Sequence, residues 1–330
     1  MQAWVVDRLV PEGEMRLAEV APPSPVGDQC LLRVEAAGVN FLDTLMIRGL
    51  YQVRPPLPFT PGVEVAGTVV GIGRESPYVV GDRLCAMVEY GGFAEFAIVP
   101  LLGSERLPPD IPVRQAVALP ITYPTAYLAL CERAGLKHGE TVLIHAGAGG
   151  VGSAAIQLAR HWGARVIATA GSAEKTALCL ELGADVAINY SIEPILEAVR
   201  AATGGRGVDV VVDPVGGQTA IESLRCLAWG GRLVIVGFAG GSIAQLSTNR
   251  LLLKNAAALG VYWGGFRRHN PAVGEKVCAD IFRLYREGII KPLVRDVFPF
   301  LDAKRALEAL AARRTCGKVA LLVQAGGKGS

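Results

Sequence analysis

The stretch TVLIHAGAGGVGSAAIQLARHWGA, residues 141–164, decides the fold. Its opening, Thr141 to Ala146, has the length and apolar character of a buried strand. The next residues, Gly147, Ala148, Gly149, Gly150, Val151 and Gly152, fit the pattern GxGxxG, and Ser153 onward continues as a helix. Glycines in this context let the chain turn tightly and bring backbone N–H groups close to a pyrophosphate at the helix N-terminus. A glycine-rich turn with no ligand is the alternative. The rhythm around the turn favours the binding site: TVLIHA, RVIATA, DVAINY, VDVVVD, RLVIVGF and AAALGVYW alternate with helical segments such as AEKTALCLELGA. That alternation predicts an α/β fold with a doubly wound, six-stranded parallel sheet.

The end of the second strand selects the dinucleotide. An acid there accepts from the adenine ribose 2′-OH and repels a 2′-phosphate. The chain reads Thr169-Ala170-Gly171-Ser172, with no acid, and Lys175 follows at the start of the next helix. Ser172 and Lys175 suit a phosphate, so NADP(H) fits better than NAD(H). Alternatively, Lys175 is a solvated helix lysine.

Upstream, short runs cut by Gly and Pro (QAWVVD, CLLRVEAAGV, EVAGTVVGIG, DRLCAMV, GFAEFAIV) predict a β-rich, barrel-like module. One helix, about Phe41 to Arg48, interrupts it, and residues 113–140 read as a helical linker bent by Pro120 and Pro124. Beyond Trp263 come two helices, Ala272 to Glu287 and Asp302 to Ala312, the second N-capped by Asp302, and a last strand, KVALLV. These final pieces read as returning to the first domain. The expected division is therefore 1–122 with 265–330 against 123–264. The terminal AGGKGS reads as a frayed tail.

With 330 residues, 51% hydrophobic and 19% charged, the chain has the material for two cored domains, which excludes disorder and fibre. A formal charge of +3 gives no argument for nucleic acid or an anionic membrane, and a small molecule is the better partner. Seven Cys stand singly with no CxxC, and no uncharged run of about 18 apolar residues occurs. The chain reads as a soluble, reduced, cytoplasmic protein without a secretory signal.

These features are joined by Gly38-Val-Asn40-Phe-Leu-Asp43 with Gly49-Leu-Tyr51, Pro61-Gly-Val-Glu64, Gly81-Asp82-Arg83, Pro124-Thr125-Ala-Tyr127, and Lys254-Asn255 ahead of Gly260-Val-Tyr262-Trp263-Gly264. Together they resemble the zinc-independent NADPH:quinone oxidoreductase (zeta-crystallin-like) family of the medium-chain dehydrogenase/reductase superfamily, over nearly the whole chain. The resemblance implies a Rossmann domain plus a GroES-like barrel domain. Zinc alcohol dehydrogenases of that superfamily place a Cys and an acid where this chain has Asn40 and Asp43, and Gly-His-Glu where it has Gly62-Val63-Glu64. No ligand set for a metal remains, and His138, His145, His161 and His269 read as surface or packing residues.

By the same resemblance, Asn40, Asp43 and Tyr51 stand beside the nicotinamide as catalytic candidates, with Thr125 nearby. Gly147, Gly149, Gly150, Val151 and Gly152 hold the pyrophosphate. Gly171, Ser172, Lys175, Tyr190, Lys318 and one arginine, Arg313 or its competitor Arg314, surround the 2′-phosphate. Phe238 and Tyr262, Trp263 and Gly264 line the cofactor through backbone groups. Tyr127 and Tyr262 can equally be packing residues, and Asn40 and Asp43 can simply cap their helix. The implied function is hydride transfer from NADPH to a quinone. A reductase of activated C=C bonds (enone or acryloyl thioester) and a non-catalytic NADPH-binding protein are the alternatives. A homodimer through the strand Ala257–Trp263 is implied as well.

Overall fold

The computed structural model describes residues 1–323, so the expected tail AGGKGS lies outside the described residues. The chain forms two compact units, Met1–Ile121 with the segment from Pro292 onward, and Thr122–Lys291.

The second unit is built on six parallel strands in the order Val186–Asn189, Arg165–Ala170, Thr141–Ile144, Val208–Asp213, Leu227–Ile235, Ala257–Gly260. Val142, Leu143 and Ile144, like Val210, Val211 and Val212, are wholly buried, which is why these strands are continuous apolar runs. The chain builds outward from Thr141–Ile144 in one direction, then returns to the centre at Val208–Asp213 and builds in the other. The crevice at the carboxyl ends of those two central strands is where such sheets hold ligands.

The expected boundary after Gly264 falls instead after Lys291. Helix Pro271–Arg286 carries a buried face of Val277, Cys278, Ile281 and Phe282 and stays with the second unit. There it packs on the helices Trp263–His269 and Thr122–Tyr127. The linker is helical as expected, in short helices Val113–Ala116 and Thr122–Tyr127 and a π-helical segment, Leu128–Arg133, and it is interrupted at Pro120, in the turn between the first two. Pro124 sits in the first turn of its helix, where a missing N–H breaks no bond. Gln157, on helix Gly150–His161, draws the two ends of this unit together. Its Nε2 donates to Tyr123 Oη at 3.0 Å and its Oε1 accepts from Lys291 N at 2.7 Å.

The first unit holds a seven-stranded sheet with the path Asp296–Pro299, Val319–Leu322, Cys30–Val39, Glu64–Ile72, Arg83–Met87, Ser104–Arg106, and Phe96–Val99 pairing on Cys30–Val39. Its core is made of Leu32, Val34, Val65, Val69, Leu84 and Phe93 among others. Helix Ala303–Ala311 buries Ala303, Ala306 and Leu307 as its periodicity predicts. Asp302 stands at its N-cap position without capping, because its carboxylate pairs with Arg305 at 2.9 Å. Among the described residues no helix is long and apolar enough to cross a membrane.

Candidate active site

The glycine turn follows the first parallel strand and ends in helix Gly150–His161. Ala146 takes a left-handed φ of 50°, and a Cβ on Gly152 would lie 2.1 Å from its carbonyl oxygen. Only a hydrogen fits there. The first intrahelical bond runs from Ser153 N to Gly149 O at 2.9 Å, so the amides of Gly150, Val151 and Gly152 form the orphan first turn that an anion can fill. This cradle fits a dinucleotide pyrophosphate.

The residues expected at the 2′-phosphate divide between the units. In the second unit the register Asn189↔Ala170 sets the ends of two strands side by side. Tyr190 Oη therefore comes within 2.6 Å of where a Cβ on Gly171 would stand, and Tyr190 remains 44% exposed. Ser172 caps helix Ala173–Glu181, its hydroxyl accepting from Lys175 N at 3.3 Å. A glycine, the hydroxyls of Ser172 and Tyr190 and the helix turn that carries Lys175 thus lie together at a strand end with no acid among residues 169–172. Arg313 and Arg314 lie exposed at the end of helix Ala303–Ala311 in the first unit, Arg313 with φ 56°. Lys318 is 2% exposed, and its ammonium is bound to Glu64 and Asn40 rather than presented to a ligand.

Across the crevice from the glycine turn, Asp213 accepts from Val215 N at 2.8 Å and Gly216 N at 3.0 Å. That loop binds the next one through Ala239 N to Pro214 O and Gly240 N to Val215 O, which sets Phe238 against Gly216. Thr125 is buried on helix Thr122–Tyr127. Tyr127 packs edge-on against Trp162 and donates to Asp280 at 2.9 Å, a packing role. Tyr262 is half exposed and accepts from Arg268 at 3.1 Å. Trp263, ahead of Gly264 in helix Trp263–His269, is buried beneath the Arg267 guanidinium. His145 is a core residue. Ser223 donates to Thr219 O, so it accepts from His145 Nε2–H at 2.8 Å, while Thr169 donates to Nδ1 at 3.0 Å. Burial holds this imidazole below its usual range, hence neutral.

In the first unit, strand Cys30–Val39 delivers Asn40 to the start of helix Phe41–Met46. Asp43, wholly buried in that helix, reaches back to accept from Asn40 N at 2.7 Å, as in a capping box. The Asn40 side chain turns the other way, to Glu64 and Lys318. Burial pushes the Asp43 carboxyl up to about 7, against the Asn40 amide and the Lys318 charge and with the nearby Glu64 charge. Burial raises Glu64 too, despite its ion pair with Lys318. Tyr51 packs half-buried against the core of this unit. Val63 is buried, and among the described residues no three His, Cys, Asp or Glu side chains gather as a metal would need. The Glu64–Lys318 pair is the element that sequence reading missed. Its signal was a single charge opening each of two apolar strands, EVAGTVV and KVALLV.

A doubly wound sheet with this glycine turn, on a chain that also builds a second sheet-based unit, defines a dinucleotide-dependent dehydrogenase or reductase. Residues 150–277 match the family described as Zinc-binding dehydrogenase, and residues 27–107 match the Alcohol dehydrogenase GroES-like domain. Quinone oxidoreductase-like protein 2 of Rattus norvegicus is 41% identical over 310 residues, 93% of this chain and 88% of the relative. The solved quinone oxidoreductase of Thermus thermophilus, also determined in complex with NADPH, superposes with a TM-score of 0.86 at 39% identity, covering 98% of this chain and 100% of that one. The Escherichia coli quinone oxidoreductase complexed with NADPH gives a TM-score of 0.91 at 31% identity, with 98% and 100% covered. The chain belongs to the quinone oxidoreductase-like family of the medium-chain dehydrogenase/reductase superfamily.

Proposed function

We propose that this oxidoreductase passes hydride from NADPH to a quinone, in the cytoplasm and without a metal. The observation that carries the cofactor half is the acid-free end of strand Arg165–Ala170, where Gly171, Ser172, Lys175 and Tyr190 gather. When bound, NADPH supplies a hydride from C4 of its nicotinamide. The amides of Gly150, Val151 and Gly152 hold the pyrophosphate against the helix dipole, and the helix Gly150–His161 keeps them fixed because its face is buried. Asn40, Asp43 and Tyr51 are the groups proposed to stand beside the nicotinamide and hold the reactants in place. A quinone suits a site of this kind, since its reduced anion is already delocalised and asks for orientation more than for a strong acid. The names of the relatives support the same acceptor. Asn40 and Val63, at positions where zinc dehydrogenases carry ligands, support metal independence. Seven free cysteines suit a reducing compartment.

The test is NADPH oxidation with a benzoquinone, an enone and an acryloyl thioester in parallel, before and after chelation. The benzoquinone is expected to react fastest, at a rate chelation leaves unchanged. Preference for the enone or thioester rejects the quinone. Stoichiometric zinc, with activity lost on its removal, rejects the metal-free reading.

For the cofactor, Lys175→Ala is expected to raise the NADPH dissociation constant about ten- to a hundredfold, the equivalent of a charged hydrogen bond of roughly 1.5 to 3 kcal/mol. NADH binding should stay where it was; equal losses for both cofactors would refute the phosphate assignment. A homodimer completes the proposal. Strand Ala257–Gly260 ends the six-stranded sheet, and its outer edge has no partner strand among the described residues. Light scattering should therefore report about twice the 34.7 kDa of one chain, and a monodisperse 34.7 kDa species would contradict it.

A further inference from the structure

We propose that Glu64 and Lys318 are positioning residues that fix which way the Asn40 carboxamide faces, so that its carbonyl oxygen, not its NH2, is the group left for a ligand. The inference rests on the reading that Asn40 orients the acceptor or the cofactor. A carboxamide can be turned over at little steric cost, since its two ends differ only in donor and acceptor character. Here the ends are told apart by the ion pair. Asn40 Oδ1 accepts from Lys318 Nζ at 2.5 Å, and Nδ2 donates to Glu64 Oε2 at 3.2 Å and towards Gly38 O at 3.4 Å. Turned over, the amide would set NH2 against the ammonium and its oxygen against the carboxylate, two repulsive contacts among buried groups. Glu64 is fully buried, Lys318 is 2% exposed, and the pair is in direct contact.

Counting valences gives the consequence. Both Nδ2 hydrogens are directed at protein acceptors, so only the Oδ1 end of the carboxamide is left to meet a ligand. Held this way, Asn40 accepts from an O–H or N–H of the bound molecule, such as a carboxamide NH2 or a hydroxyl, and does not donate to a developing oxyanion. The chain is shaped around this arrangement. A Cβ on Gly38 would stand 2.6 Å from Glu64 Oε2 and 2.7 Å from Lys318 Cε, so the pair reaches Asn40 only past a residue with no side chain.

Removing Lys318 alone would leave Glu64 buried without its counter-charge, so the decisive variant changes both, Glu64→Gln with Lys318→Met. It is expected to lower kcat for quinone reduction by about ten- to a hundredfold, the effect of a misplaced orienting group. Added to Asn40→Ala, it should slow the enzyme no further, because the pair acts through Asn40. Multiplicative losses in the combined variant, or wild-type kcat in the charge-pair variant, overturn the proposal. A second measurement needs no substrate. The Asn40 side-chain NH2 resonances, identified by their absence in Asn40→Ala, should exchange slowly with solvent in the wild type and rapidly in the charge-pair variant. Unchanged exchange overturns positioning. A wild-type kcat in Asn40→Ala would instead reject the proposed role of Asn40 in the reaction, and the exchange rates would still decide whether the pair holds its amide.

Discussion

Gly152→Ala is expected to weaken NADPH binding by at least about a hundredfold, some 2.7 kcal/mol. The atoms a Cβ would meet are Ala146 O at 2.1 Å, Ala146 C at 2.8 Å and Gly147 Cα at 2.8 Å, all backbone. A flexible side chain could swing aside, but a turn already held at φ 50° can only open. Opening it moves the amides of Gly150, Val151 and Gly152 away from the pyrophosphate and strains the helix start, at a stability cost of roughly 1 to 3 kcal/mol. Gly71→Ala, on strand Glu64–Ile72 of the first unit, is the control, since a Cβ there meets nothing closer than Leu31 Cβ at 3.4 Å, and NADPH binding should be unchanged. NADPH fluorescence titration of the two variants, with thermal melts to confirm folding, gives the answer. Tight binding in folded Gly152→Ala would mean that this turn is not the cradle.

Between about pH 4 and about pH 7 the wild type is expected to lose stability relative to Asp43→Asn, by an amount that reaches roughly 4 kcal/mol if the whole shift is expressed. The sign follows from the direction of the shift. Burial lifts Asp43 from 3.8 to about 7 in the folded protein. Below pH 4 the carboxyl is protonated in both folded and unfolded chains, and the two states gain nothing from each other. As pH rises the unfolded chain ionises first, so the folded state falls behind until its own carboxyl titrates. Asn in this position keeps an oxygen for the Asn40 N–H and carries no charge, so its melting temperature should lack this component of the pH dependence. Asp43→Ala gives up that hydrogen bond and should melt lower than Asp43→Asn throughout. Melting curves of wild type and Asp43→Asn that run parallel from pH 4 to pH 8 would show that Asp43 does not titrate there.

The parallel sheet was legible because strands covered on both faces leave uninterrupted runs such as VDVVVD, and because the glycine turn sits between a strand and a helix. The strands Arg16–Glu19, Ser104–Arg106 and Asp296–Pro299 were not, being three or four residues long and partly charged. Helix Pro271–Arg286 announced its apolar face but not the surface opposite, and so was placed with the wrong unit. At the phosphate end, Ser172 and Lys175 could be read from local spacing, whereas the approach of Tyr190 to Gly171 depends on the register between two strands. Asn40, Asp43 and Lys318 were picked out, yet their connection was hidden. Glu64 and Lys318 lie far apart along the chain, and nothing local tells a buried lysine from a ligand's lysine.

Gln157, which binds both Tyr123 and Lys291, also bears on the order in which the protein takes shape during synthesis. Val39 pairs with Val319, so the larger sheet of the first unit stays open at Cys30–Val39 until Val319–Leu322 has been made. The second unit, Thr122–Lys291, precedes that strand in the chain and has its own core to fold around. Once it has folded, the amide of Gln157 has already brought the two chain crossings together. Strand Val319–Leu322 then closes a loop shortened by the folded unit between the two crossings, and the entropy of that closure falls accordingly. A helix that belongs to the second unit's glycine turn thereby also shortens a loop that closes in the first.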